Sequence, residues 1–131
     1  MFKETAYIAL GGALGSAGRY WLTFWMAPYS HSMPWGTMII NITGSFFISF
    51  FAILTMESGS FPLPSIYRIC FMSGICGGFT TFSSFSLQNM ELIQAGHIER
   101  AFINIILSVG IGLLAVAAGY LAARAINQNI I

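Results

Sequence analysis

The chain has 131 residues, 56% of them hydrophobic and only 7% charged, with a net charge of +1. A soluble domain carries about a quarter charged residues, so this composition excludes one and specifies a membrane protein. The near-neutral balance also excludes a nucleic-acid partner.

At about 20 residues per span, the length accommodates four helices and short connections, an all-α membrane domain over 1–131. Helix 1 is predicted over 5–26. Its apolar run is too long for the h-region of a signal peptide and continues through Arg19 without a cleavage-type site, so it reads as the first span. Pro28 and Pro34 bracket a turn that carries His31. Helix 2 is predicted over 35–56 and is closed by a segment containing Pro62 and Pro64. Helix 3 covers 65–94, and the polar turn Ala95-Gly-His-Ile-Glu99 leads to helix 4 over 100–125. Trp21, Trp25, Tyr29, Trp35 and Tyr67 fall near predicted ends, where aromatic belts sit. Cys70 and Cys76 are six apart, on different helix faces, and read as small hydrophobes.

Small or polar residues recur at helical spacing on three of the helices. Helix 1 carries Gly12, Ser16, Arg19 and Thr23, with Gly11 and Gly15 alongside; helix 2 carries Thr37, Asn41, Gly44, Ser45 and Ser49; helix 4 carries Asn104, Ser108, Gly112, Ala115 and Gly119. Close packing between membrane helices explains the glycines and alanines. Packing alone does not require Asn41 or Arg19.

Helix 3 is different. Its middle, 74–86, reads Gly-Ile-Cys-Gly-Gly-Phe-Thr-Thr-Phe-Ser-Ser-Phe-Ser. Three glycines followed by five hydroxyl residues predict a helix broken within the membrane. Hydrocarbon offers no water to unpaired backbone groups, so such a break survives only when buried in protein or lining a cavity.

The chemistry available there is limited. The chain has no Asp, and Glu4, Glu57, Glu91 and Glu99 all lie at or near predicted helix ends. No paired carboxylates, embedded proton carrier or nucleophile–base constellation can be assembled, and the chain is not expected to be an enzyme. What remains is a set of hydrogen-bond donors: the Asn41 amide and the hydroxyls of Thr81, Ser83, Ser84 and Ser108. Arg19 has two readings, a positive charge along a permeation path or a side chain that snorkels to the interface. Donors without carboxylates favour a small anion. Phe82 and Phe85 are three apart and share a helical face, and a phenyl ring is positive at its edge. An inward edge attracts an anion while keeping the passage narrow and dry.

At these residues the chain resembles the Fluc/CrcB family of fluoride channels. The matching motifs are Gly-Arg at 18–19, Trp35-Gly-Thr-x-x-x-Asn41-x-x-Gly44-x-Phe46, and Gly74-x-x-Gly77-Gly78-x-Thr80-Thr81-Phe82-Ser83-Ser84-Phe85. Ser84 stands where the family usually has Thr, and Asn104 and Gly112 stand where some members carry hydroxyl side chains. The resemblance implies an antiparallel, dual-topology homodimer in the bacterial cytoplasmic (inner) membrane, with two pores that export fluoride down its gradient. It implies that Asn41 lines the pore vestibule region and that Phe82 and Phe85 form an aromatic box. It further implies a structural sodium ion at the dimer centre, held by backbone carbonyls of Gly77 and Thr80 from both subunits.

Orientation is consistent with that implication. Lys3, Arg68 and Arg124 fall on one side of the membrane, against Arg100 and the end of helix 1 that carries Arg19. So weak a bias permits insertion both ways. Three rival readings remain on the residues alone. A small multidrug transporter needs a glutamate within helix 1, which 5–26 lacks. A purely structural subunit leaves the hydroxyl-rich break unexplained, and a cation channel conflicts with the missing acidic residues.

Overall fold

The computed structural model describes residues 1–130, and these are all-helical, with no strand among them. Helix α1 spans Phe2–Met26 and passes into a 3₁₀ turn, Ala27–Tyr29, where Pro28 supplies the fixed φ that a helical start favours. Helix α2, Trp35–Leu54, ends where the Thr55 hydroxyl donates to the Phe51 carbonyl at 2.7 Å. The Arg68 guanidinium donates to the Ala52 carbonyl at 3.2 Å, placing positive charge at the negative end of α2.

The third helical region is assembled from pieces. Helix α3, Ser65–Ile69, leads into a π-helical segment, Cys70–Cys76, and then into α4, Gly77–Phe79. Thr80 and Thr81 are extended, with φ/ψ of −77°/157° and −152°/115°, before α5 runs over Phe82–Gln94. Gly96, at φ +82°, makes the left-handed turn that returns the chain into α6, Ile98–Ile130. Such a dihedral costs a glycine little.

Four boundaries differ from the sequence expectation. Helix α2 stops at Leu54, two residues before 56, and α6 starts at Ile98, two before 100. Helix α1 begins at Phe2, and α6 continues five residues past 125 because nothing between Ala125 and Ile130 breaks a helix. At 1.5 Å per residue α6 is roughly 50 Å long, so one end extends beyond a hydrocarbon core of about 30 Å. Helices α2 and α6 are each long and apolar enough to cross a membrane.

Packing follows the small residues. Helix α1 lies against the π-helical segment and α4, while α2 lies against α6. A Cβ on Gly11 would strike the Cys70 carbonyl, and one on Gly15 the Ile75 carbonyl. From the facing side, Gly74 and Gly78 approach the backbone of Gly11 and Gly12. Gly119 brings α6 equally close to the backbone of α2 at Phe46. Gly11, Gly15 and Gly119 therefore serve backbone-to-backbone contact, the arrangement that replaces a hydrophobic driving force in lipid.

Few large side chains are enclosed: Ile40 and Met38 are buried, whereas Leu113 and Leu114 on α6 are 67% and 70% exposed. An apolar exterior of this extent is incompatible with water and suits hydrocarbon. The aromatic residues expected at belts are exposed, and Trp21 packs against Phe24 and Trp25 at the end of α1.

Candidate functional site

The two extended residues after α4 are held from α2. Asn41 donates through Nδ2 to the Thr81 carbonyl at 3.0 Å, and its Oδ1 accepts the Thr81 N–H at 2.8 Å. One side-chain amide thus pairs with both polar groups of one peptide residue, as a neighbouring strand would. Gly44, one helical turn further along α2, leaves the space that the Thr80 methyl group occupies.

This clamp changes the hydrogen bonding on both sides. The Thr81 N–H would serve the Gly77 carbonyl in a continuous helix, but it goes to Asn41 instead. The Ser84 N–H would serve the Thr80 carbonyl, but it bonds Thr81 Oγ1 at 3.1 Å, an N-cap for α5. The helical donors of the Gly77 and Thr80 carbonyls are therefore both diverted. Thr80 itself closes on Cys76, whose carbonyl accepts from both the Thr80 N–H and its hydroxyl, each at 2.9 Å.

Thr81 Oγ1 is also the hub of a hydroxyl cluster, with Ser84 Oγ at 3.1 Å and Ser83 Oγ at 3.2 Å. The start of α5, where the helix dipole is positive and the first amides lack intrahelical acceptors, carries this cluster.

Beside it lies a cavity of about 370 Å³. Asn41, Gly44, Ser45 and Ile48 of α2 form one wall, Cys76, Gly77, Thr80 and Thr81 a second, Phe82 and Phe85 a third, and Ser108 and Val109 of α6 close it. No Asp, Glu, Lys or Arg lines it. The Phe82 and Phe85 rings have centroids 5.7 Å apart at 44°. Phe85 is 9% exposed and anchored between helices, whereas Phe82 is 78% exposed.

Of the residues singled out in the sequence, the cavity gathers Asn41, Gly77, Thr80, Thr81, Phe82, Phe85 and Ser108. Ser83 and Ser84 stand behind it, bonded to Thr81. Arg19 is half-buried on α1 and does not line the cavity.

Sequence reasoning missed Asn89. It is buried, donates to the Phe85 carbonyl at 2.8 Å, and accepts from Asn104 Nδ2 at 2.9 Å. Asn104 Oδ1 in turn accepts from the Ser108 hydroxyl at 3.1 Å. The available signal was spacing: Asn89 follows Phe85 by four residues and so shares its face, and Asn104 and Ser108 repeat that spacing. The π-helical widening before the break has no comparable signature in the residues.

The chain compares closely with known sequences. A family model described as CrcB-like protein, Camphor Resistance (CrcB), matches residues 6–120. A protein of Methylocella silvestris named Fluoride-specific ion channel FluC is 50% identical over 123 residues, covering 93% of this chain and 94% of the relative. Proteins of the same name from Paramagnetospirillum magneticum and Methylobacterium radiotolerans are 49% and 45% identical, over 94% and 93% of this chain and 97% and 85% of the relatives. With the match running from α1 through residue 120 of α6, the chain belongs to the CrcB family.

Proposed function

We propose that the chain is a fluoride-selective channel of the inner membrane, a multi-pass protein that lets fluoride leave the cytoplasm down its electrochemical gradient. The observation that carries this reading is the uncharged cavity at the start of α5, walled by amide and hydroxyl groups and two phenylalanines. Fluoride is small and strongly hydrated, so a passage must replace its water with donors. The Asn41 amide has a second N–H beyond the one given to Thr81. The α5 dipole and the positive edges of Phe82 and Phe85 add attraction without a fixed charge that would trap the ion. A carboxylate at any of these positions would repel the anion, and none is present.

Two copies in antiparallel arrangement complete the channel in this reading. Supporting it are the weak charge bias across the membrane and the exposure of Phe82 in a single copy. Gly77 and Thr80 fit a structural sodium ion at the centre of such a dimer, because both carbonyls have lost their helical donors and hard cations take oxygen ligands. The ion, when bound, balances carbonyl dipoles that two copies would otherwise direct at one another.

The test is fluoride efflux from liposomes containing the purified protein, followed with an ion-selective electrode. Fluoride should leave much faster than chloride; equal rates, or no fluoride flux, would overturn the reading. For the antiparallel dimer, C-terminal reporters should be found on both sides of the membrane in cells, and a single orientation would exclude it.

A further inference from the structure

Ser108 borders the cavity, yet its single O–H is already committed to Asn104 Oδ1 at 3.1 Å. The commitment begins two residues away. A backbone carbonyl only accepts, so the Asn89 amide must turn its nitrogen to the Phe85 carbonyl and its oxygen to Asn104. Asn104 must then present nitrogen to Asn89 and oxygen to Ser108. Reversing any member would set oxygen against oxygen or nitrogen against nitrogen. Asn89 and Asn104 are buried and off the cavity, so no solvent competes for the bond that fixes their orientation.

We infer that Asn89 and Asn104 are positioning residues that hold the Ser108 proton out of the ion path, so that Ser108 shows the cavity lone pairs rather than a donor. This rests on the fluoride-channel reading. An anion passing Ser108 meets an oxygen that does not bind it directly, or a water held by that oxygen. The consequence is a shallower well on the α6 wall, and conduction requires binding weak enough for the ion to leave. Neither Asn89 nor Asn104 lines the cavity, so both act through Ser108.

Two variants release the hydroxyl. Asn89→Leu removes the anchor and lets the Asn104 amide turn, offering nitrogen to Ser108 and freeing its proton. The pair Asn89→Leu with Asn104→Leu removes both amides together and leaves no buried amide unpartnered, which protects the fold. In reconstituted liposomes each should lower the fluoride concentration giving half-maximal flux by about tenfold, the effect of one added bond to a charged group. Maximal flux should fall as well, because the ion leaves more slowly. Repeating both in a Ser108→Ala background should abolish the shift in half-saturating concentration. A merely structural role would reduce maximal flux alone, leaving half-saturation unchanged. That result, or a shift that persists in the Ser108→Ala background, would overturn the inference. A wild-type protein that carries no fluoride would overturn the channel reading itself and this inference with it.

Discussion

Asn41 and Thr81 exchange two hydrogen bonds, 3.0 Å from the side-chain amide to the carbonyl and 2.8 Å from the peptide N–H to the amide oxygen. The pair ties α2 to the turning point between α4 and α5. It also removes the Thr81 N–H from the Gly77 carbonyl, so the same contact that secures the turn frees an acceptor. A membrane helix cannot interrupt its own ladder without such replacement partners.

Asn41→Asp tests that contact. The carboxylate keeps an acceptor for the Thr81 N–H but sets a second oxygen against the Thr81 carbonyl, stranding a buried group at a cost of about 1–3 kcal/mol. The added negative charge would also repel fluoride. The variant should lose efflux and unfold at a lower temperature in detergent; unchanged melting would contradict the clamp.

Phe82 and Phe85 should separate stability from conduction. Phe82 is largely exposed in one copy, so Phe82→Ile should leave the fold of the chain intact, while Phe85→Ile, at a buried site, should cost less than about 1.5 kcal/mol as a near-volume swap. Fluoride flux should collapse in both, because isoleucine has no polarised ring edge. Liposome efflux and thermal melts of the same preparations make the comparison, and retained flux in both variants would sink the aromatic-lined path.

On α1, neighbouring glycines should behave differently. A Cβ at Gly15 would collide with the backbone at Ile75 and Phe79, whereas one at Gly12 meets nothing within 4 Å. Gly15→Ala should therefore lower folded yield and melting temperature markedly, by a cost in the overpacking range of about 1–3 kcal/mol. Gly12→Ala should stay within about 0.5 kcal/mol of wild type. Equal effects would mean that the close approach of α1 to the third helical region is wrong.

Gly77 poses a sharper question. Its dihedrals are ordinary right-handed helix, φ −65° and ψ −37°, and an added Cβ would first meet the Met72 carbonyl at 3.8 Å. Neither unusual backbone nor crowding within the chain requires glycine there. Gly77→Val should consequently leave one copy folded and act on what faces it. Under the proposed dimer with a central ion, the variant should retain its helical circular dichroism but run as a monomer by light scattering in detergent. A normal, conducting dimer would exclude that centre.

Composition alone determined the solvent: a chain with 7% charged residues and long apolar runs has no stable fold in water. The prolines and the Ala95–Glu99 turn marked where helices end, because a missing N–H and a glycine at positive φ act locally. The run of hydroxyls after Gly78 marked a place of special chemistry, and the absence of Asp marked its sign. Those inferences needed only neighbours in sequence. Which groups meet was decided by the tertiary structure. Asn41 is forty residues from Thr81, and Asn104 is fifteen from Asn89. An amide shows nothing in sequence about whether it will donate to a pore, a backbone or another amide. That choice depends on which acceptor lies within about 3 Å once the helices have packed. It left Arg19 outside the cavity and turned the Ser108 proton away from it, for the same reason: hydrogen bonds are short and directional, while sequence spacing specifies only the face of a helix.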